Sequence, residues 1–341
     1  MPTVERTKPS PPLVLDVDEL LEVKDTLPAL TAKQNEMINA VLAHFMQEGY
    51  ALPGAEEGNG ALKDVEEYWL SYECMLRYLR ATKWASSQAA IDRLESTLLW
   101  RREFGIIGEK GKPEYVEPEA LTGKVIAYGY DNERRPALYL LPSRQNTSES
   151  TKQFSFTFWF LERCIELMGP GVETVALMIN YGDKSPKSPS LSHSRNFLNL
   201  LQSHYPERLG RALITNVPFF LTAFYKVITP FVDPATRTKV FFNPRAVEQG
   251  LFKSEELFKE FSGDVEFEYK HEEYWEELLR MTDKIRERRL EAWRALGGTI
   301  GISEWDIKTW VSPAEGGEKE VVKENVTVTI SCGEIQQGVA V

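Results

Sequence analysis

Apolar positions change their spacing along the chain, and the first third of it has the spacing of helices. In residues 31–49, apolar side chains recur every three or four positions, as on a helix with one buried face. Residues 50–67 read as a loop. Residues 68–105 read as two helices that break at Ala85–Ser87, which caps the second one, and that stop at Gly105. The pattern therefore predicts a small helical unit at the start of the chain.

From about residue 120 the pattern changes to short apolar runs that are rich in β-branched and aromatic residues and bounded by Pro, Gly, Asn or Asp. The runs are KVIAYGY, PALYLLP, VALMIN, ALITNVP and KVFFN. Helical patterns lie between them at 154–168, 191–203 and 219–232, and one long helix follows at 272–296. Strands that alternate with helices predict an α/β domain with a mostly parallel or mixed sheet.

These patterns divide the chain into five expected regions. They are an N-terminal tail (1–30), a helical unit (31–110), the α/β domain (118–271), a C-terminal helix (272–300) and a C-terminal tail (301–341).

Composition narrows the class of protein. The 341 residues are 42% apolar and carry a net charge of −11, so the chain is globular, and a basic face for nucleic acid is not expected. Its three cysteines have neither disulfide nor zinc spacing, which indicates a reducing compartment. The first residues lack the apolar core of a signal peptide. We therefore expect a cytoplasmic protein.

Motifs for catalysis and for cofactors are missing from the sequence. No glycine-rich phosphate loop stands between a strand and a helix, and no G-x-S-x-G elbow occurs. The four histidines have no metal-ligand spacing. We expect no enzyme activity, no metal and no cofactor, and nothing in the sequence supports a hydrolase.

The most apolar window is 217–232, which holds eleven apolar residues, two prolines and three polar residues. It is too short for a membrane span, which needs roughly 20 apolar residues. Apolar side chains would cover most of the circumference of a helix here: Phe220, Phe224, Val227, Ile228, Phe231 and Val232. Such a helix is either buried in a protein core or faces something apolar that is not protein.

One long stretch carries a family resemblance. The string SHYPERLGRALITNVPFFLTAFYKVITPFVDPATRTKVFF resembles the signature of the CRAL-TRIO lipid-binding domain. MLRYLRATKW is similar to the N-terminal helical motif of that family, and DNERRPALYL to its next strand. The likeness runs from about residue 35 to 270. The segment from EYWEELLRM to EWDI resembles a fungal branch, the phosphatidylinositol transfer proteins linked to pleiotropic drug (azole) resistance.

The resemblance implies an N-terminal helical unit and a lipid-binding domain whose sheet floors a cavity for one lipid. The apolar helix would be a mobile gate, built from the six apolar residues named above, and Val175 and Leu177 would line the pocket. Headgroup binding would fall to Glu207, Thr236, Lys239 and Asp131. Carboxylates accept hydrogen bonds from inositol hydroxyls, and a hydroxyl and an ammonium suit a phosphate. The alternative is that Glu207, Arg208 and Lys239 form a structural ion network.

Two departures from the family pattern refine the expected ligand. Thr82 stands where the family has a second arginine, so headgroup binding should differ in strength. Val175 and Leu177 stand where phosphatidylcholine-binding members have small hydroxyl residues. Burying a phosphate that has no hydrogen-bond partner costs much free energy. We therefore expect phosphatidylinositol to bind and phosphatidylcholine to bind poorly, with a sterol as the alternative exchange ligand.

Two functions fit these expectations. The first is a carrier that extracts phosphatidylinositol and transfers or presents it, in transient contact with the endoplasmic reticulum, lipid droplets or the cell periphery. The second is a lipid-sensing module that controls a partner protein, which the sequence does not identify. A basic group near the gate would draw the protein to anionic lipid headgroups: Lys226, Arg237, Lys239 and Arg245.

Overall fold

Four helices begin the folded chain in the computed structural model, which describes residues 29–182, 190–217, 225, 227 and 229–312. They are α1 (Ala32–Phe45), α2 (Asp64–Trp69), α3 (Tyr72–Ala81) and α4 (Ser87–Phe104). The predicted break is confirmed, since the Ser86 hydroxyl caps α4 by accepting a hydrogen bond from the amide of Ala89 at 3.1 Å. Gly105 ends α4 with a left-handed φ of 85°.

The loop expected at 50–67 is wrong at its end, because α2 begins at Asp64. Glu66 in this helix is only 2% exposed, and its carboxylate accepts a hydrogen bond from Arg102 Nε of α4 at 2.6 Å. A tertiary ion pair thus stabilises a helix start whose polar residues look like a loop in the sequence.

A five-stranded sheet forms the second part of the fold. The strands are β1 (Val125–Tyr130), β2 (Pro136–Leu140), β3 (Val175–Asn180), β4 (Leu209–Thr215) and β5 (Val240–Phe242), and they lie side by side in that order. β1 pairs with β2 in antiparallel orientation, whereas the other three pairings are parallel. All five apolar runs are strands, so the expected mixed sheet is confirmed.

Six further α-helices follow α4 within the described residues. They are α5 (Pro113–Ala120), α6 (Thr151–Leu167), α7 (Leu191–His204), α8 (Pro234–Arg237), α9 (His271–Ala295) and α10 (Glu304–Thr309). α6 packs on β1 and β2 and is joined to α9, where the Trp159 and Trp275 rings stack with centroids 4.7 Å apart. The Tyr274 hydroxyl of α9 donates a hydrogen bond to the carbonyl of Ala127 on β1 at 2.9 Å. These contacts bury one face of the sheet.

α10 lies within the region that the sequence assigns to the C-terminal tail from residue 301. Its Glu304 accepts a hydrogen bond from Arg77 Nη2 of α3 at 2.6 Å, and the amide of Glu304 donates to the Glu73 carboxylate at 2.6 Å. The described residues as far as Trp310 therefore belong to one compact unit. The five region boundaries themselves stay a prediction.

Candidate functional site

The four candidate headgroup residues all lie at one edge of the sheet. β2, β3, β4 and β5 are parallel and begin at this edge, and the antiparallel β1 ends there. Asp131 directly follows β1, and Glu207 comes two residues before β4. Thr236 and Lys239 come shortly before β5. Residues from three separate parts of the sequence are thus brought to the same edge of the sheet.

Glu207 lies in a tight turn that directs it and its neighbour to different environments. Its backbone has a left-handed φ of 58°, and its side chain is exposed. The next residue, Arg208, is buried, and its Nη1 donates a hydrogen bond to the carbonyl of Glu173 at 3.0 Å. Within the described residues no cation forms an ion pair with Glu207, so its carboxylate can accept hydrogen bonds from a ligand.

Lys239 is held at the same edge by both its backbone and its side chain. Its amide donates to the carbonyl of Thr236 at 3.1 Å, and its carbonyl accepts from the amide of Ala212 at 2.8 Å. The half-buried ammonium donates to the carbonyl of Leu209 at 2.8 Å. An ammonium has three N–H donors, so two remain for a phosphate.

Asp131 is buried, and both of its carboxylate oxygens already have partners. Oδ1 accepts hydrogen bonds from the amides of Glu133 and Arg135 at 2.9 Å each. Oδ2 lies 3.3 Å from Arg135 Nη1 and 3.2 Å from Arg211 Nε. Burial raises the pKa of Asp131, although these amides and guanidinium groups oppose the change. The structure therefore places Asp131 as an organiser of the 131–135 loop, and a ligand contact would require it to exchange a partner.

The sequence did not single out Arg135 and Arg211, which share this edge. Arg211 on β4 is 7% exposed and also pairs with Glu133. The Arg135 side chain lies against Gly210, where an added Cβ would come within 2.5 Å of its Cδ and Nε. Gly210 is thus needed for this approach. The sequence feature that could have identified the two arginines is the mixture of acidic and basic residues beside the strand ends. This feature is weak evidence when the pairing of the strands is not known.

The predicted pocket positions lie on β3. Leu177 and Ile179 are half-buried, whereas Ala176 and Met178, which point to the other face, are fully buried. Val175 shares the face of Leu177 and is 4% exposed. Leu177 pairs with Leu138 on β2 and with Ala212 on β4, so apolar side chains surround it.

The candidate gate residues are only partly within the described residues. Val227 is exposed, and Phe231 and Val232 are half-buried. Phe220, Phe224 and Ile228 lie outside the described residues. Tyr225 is described, and its ring packs edge-on against Phe242 of β5 with centroids 5.2 Å apart. The hydroxyls of Tyr225 and Tyr181 are hydrogen-bonded at 2.9 Å.

A buried ion network joins the N-terminal helices to the loop before β3. Arg77 Nη1 of α3 lies 2.9 Å from the Glu173 carboxylate, and Arg80 lies 2.8 Å from it. Burial disfavours ionised Glu304, but Arg77, Lys308 and Arg208 outweigh this effect and hold its pKa well below the ordinary value. Thr82, in place of the family arginine, donates to the carbonyl of Tyr78 at 3.0 Å.

Two small cavities are lined by described residues. One of about 40 Å³ lies between the helical unit and the sheet domain, beside Arg77, Glu162 and Arg208. Another, of about 20 Å³, adjoins α10. They suit water rather than a lipid tail. In the described ranges 29–182, 190–217 and 229–312, no helix has the length and apolarity to cross a membrane, and no cluster of acidic, histidine or cysteine side chains could hold a metal ion.

Two family profiles match the chain: the CRAL/TRIO domain at residues 121–263 and the CRAL/TRIO N-terminal domain at residues 20–96. A phosphatidylinositol transfer protein of Saccharomyces cerevisiae, PDR17, is 36% identical in an alignment of 301 residues that covers 83% of this chain and 85% of that protein. A CRAL-TRIO domain-containing protein of Schizosaccharomyces pombe is 44% identical over 86% of this chain, but the match spans only 28% of that longer protein.

A more distant relative is the SEC14 cytosolic factor of Kluyveromyces lactis, with 28% identity over 56% of this chain and 70% of that protein. Among solved structures, the crystal structure of Sfh5 aligns with a TM-score of 0.49 and 16% identity, over 76% of this chain and all of Sfh5.

Proposed function

Because the chain belongs to the CRAL/TRIO domain family, we propose that it carries phosphatidylinositol between membranes or presents it at a membrane. Two relatives support this proposal. One, 85% covered by the match, is named a phosphatidylinositol transfer protein, and another is named a SEC14 cytosolic factor. The match to the first relative extends over 83% of this chain, and the CRAL/TRIO N-terminal profile matches residues 20–96, which include most of the helical unit.

The observation that carries the proposal is the convergence of Glu207, Thr236 and Lys239 on one sheet edge, with Asp131 beside them. An exposed carboxylate suits the hydroxyl groups of inositol, and the ammonium and hydroxyl suit its phosphate. Arg211 and Arg135 hold Asp131 in place. We propose that these groups recognise the headgroup.

The acyl chains would lie along the face of the sheet that carries Val175 and Leu177. Taking a lipid out of a bilayer forfeits about 0.8 kcal/mol per CH₂, or on the order of 20 kcal/mol for two chains. Only contact between the acyl chains and an apolar protein surface can offset this loss of free energy. We propose that the segment with Phe220, Phe224, Val227, Ile228, Phe231 and Val232 covers the chains and separates from them at a membrane.

Phosphatidylcholine should be a poor ligand. Leu177 has the apolar neighbours Leu138 and Ala212, and neither they nor Val175 offers a hydroxyl to a choline phosphate. A dry surface of this kind suits a sterol, which we propose as the alternative exchange ligand. We expect no catalytic activity. We place the protein in the cytoplasm and transiently on membranes, where Arg237, Lys239 and Arg245 would face anionic lipids.

Lipid mass spectrometry of the purified protein, followed by a vesicle transfer assay, tests the proposal. We expect phosphatidylinositol to co-purify and to move from donor to acceptor vesicles faster than phosphatidylcholine. Abundant bound phosphatidylcholine would refute the selectivity. Phosphatidylinositol that binds but does not move would refute the carrier and favour a lipid-sensing module.

A further inference from the structure

The side-chain amide of Gln202 holds the backbone on both sides of Val232. Gln202 lies in the last turn of α7. Its Nε2 donates a hydrogen bond to the carbonyl of Phe231 at 3.1 Å, and its Oε1 accepts one from the amide of Asp233 at 2.7 Å. One side chain thus fixes the chain immediately before α8.

Asp233 connects this part of the backbone to the candidate headgroup residues by hydrogen bonds. Its Oδ1 caps α8 and accepts hydrogen bonds from the amides of Ala235 at 2.8 Å and Thr236 at 3.4 Å. The carbonyl of Thr236 then accepts from the amide of Lys239 at 3.1 Å. A continuous chain of hydrogen bonds therefore runs from the Gln202 amide to the two residues that would meet a phosphate.

The N-terminal helical unit holds the other end of this chain. Arg93 of α4 donates to the carbonyl of Ser203 at 3.2 Å and also to the carbonyl of Gln202. These carbonyls belong to the last turn of α7, where backbone acceptors lack partners within the helix. Arg195 of α7 also lies over the ring of Phe231, 4.8 Å from its centre.

We propose that Gln202 is a positioning residue for Thr236 and Lys239, and that Arg93 sets its position from the helical unit. The inference rests on the headgroup role proposed above for Thr236 and Lys239. Both polar atoms of the Gln202 amide contact protein backbone, so in this proposal it acts through those residues. A binding group must be held within a fraction of an ångström of its productive geometry, which is what this connection supplies.

Three variants test the connection in a phosphatidylinositol transfer assay between vesicles. Gln202→Leu loses both hydrogen bonds and should slow transfer about ten-fold, as expected for two lost hydrogen bonds. Arg93→Leu should slow it less, because Gln202 itself remains. Asn199→Leu, at an exposed position of the same helix, should leave transfer unchanged. Equal losses in Gln202→Leu and Asn199→Leu would overturn the proposal.

A Gln202→Glu variant tests the hydrogen bond from Gln202 to the carbonyl of Phe231. Its ionised carboxylate can still accept from Asp233 N but cannot donate to the carbonyl of Phe231. Protonation restores a donor, so transfer relative to wild type should recover as pH falls from 7.5 towards 5. Absence of any recovery would count against the hydrogen bond to Phe231 as the cause of the slower transfer.

A double-mutant cycle with Thr236→Ala tests whether Gln202 acts through this residue. If it does, Gln202→Leu adds less than about three-fold further loss to Thr236→Ala. Multiplied losses would show that Gln202 does not act through Thr236.

Amide hydrogen exchange of the lipid-free protein is independent of any ligand. Exchange in 231–239 should accelerate in Gln202→Leu and stay unchanged in Asn199→Leu. Failure of the wild type to transfer phosphatidylinositol would refute the proposed function, whereas unchanged exchange in Gln202→Leu would refute the positioning role.

Discussion

The ammonium of Lys239 donates a hydrogen bond to the carbonyl oxygen of Leu209 over 2.8 Å, and this contact joins the starts of two parallel strands. Leu209 is two residues beyond Glu207, so the contact fixes the lysine next to the turn that exposes the glutamate. The ammonium that would bind the lipid phosphate is therefore already in position before a lipid binds. The conformational entropy of the Lys239 side chain has been lost on folding.

Lys239→Ala should abolish phosphatidylinositol transfer while leaving the fold intact. The substitution removes the ammonium but keeps the backbone hydrogen bonds to Thr236 and Ala212. A charge-assisted hydrogen bond to a phosphate is worth about 1.5–3 kcal/mol, so affinity should fall at least ten-fold. Vesicle transfer with labelled phosphatidylinositol measures this. Lys284→Ala, on an exposed part of α9, is the matched control and should transfer normally.

Hydroxyls on β3 should widen the ligand range. Val175→Ser with Leu177→Thr places two donors on the same face of the strand, where a choline phosphate would otherwise lack partners. We expect phosphatidylcholine to appear among the co-purified lipids and its transfer to rise several-fold. Ala176→Ser, on the opposite face, should not change the lipid profile. A double variant with an unchanged profile would contradict this assignment of the pocket.

Arg77 should be among the most sensitive positions for stability. Its side chain is 3% exposed and contacts both Glu173 and Glu304. Arg77→Met leaves two largely buried carboxylates with fewer partners and should lower the free energy of unfolding by about 3 kcal/mol. Urea denaturation measures the change.

An exposed ion pair provides the control for Arg77. Arg280 pairs with Glu277 and is 61% exposed, so Arg280→Met should cost less than about 1 kcal/mol. Similar losses in the two variants would show that the buried network contributes no more stability than an exposed ion pair.

His204 should make the protein sensitive to mild acid. It stacks on Trp100 with centroids 4.3 Å apart, and burial, followed by the charges of Arg93 and Arg101, lowers its pKa to about 4. Between pH 6.5 and 4 the unfolded chain binds more protons than the native one, so stability must fall as pH falls through this window.

Replacement of the imidazole should remove this effect. His204 is partly exposed, so we expect only about 1 kcal/mol of the wild-type loss between pH 6.5 and 5 to come from it. The His204→Phe variant keeps the stacking on Trp100. Between pH 6.5 and 5 its free energy of unfolding should fall by about 1 kcal/mol less than that of the wild type. Urea denaturation at the two pH values measures the difference, and parallel curves for the two proteins would contradict the assignment.

Much of the fold could be predicted from local patterns. Each strand is a short apolar run bounded by Pro, Gly, Asn or Asp, and α4 has a serine cap and a terminal glycine. The beginning of α2 could not be predicted in this way, because Glu66 is stabilised by Arg102, which is remote in sequence. The polar helix α10 was missed for the same reason, since Arg77 pairs with its Glu304.

The site was predictable only in part. The resemblance selected Glu207, Thr236, Lys239 and Asp131, and strand pairing brings them to one edge. No local pattern could show that Arg211, far along the chain, would occupy the Asp131 carboxylate. The two hydrogen bonds of Gln202 were equally invisible, because they depend on how α7 ends beside residues 231–233.

The left-handed backbone at Glu207 sets stability against the headgroup recognition proposed for this residue. A residue with a Cβ loses roughly 1–2 kcal/mol in this conformation, and glycine largely avoids that loss. Glu207→Gly would therefore strengthen the turn while deleting its carboxylate. A laboratory selection for thermal stability alone should enrich such substitutions. The selected proteins should be more stable but should no longer distinguish one lipid from another.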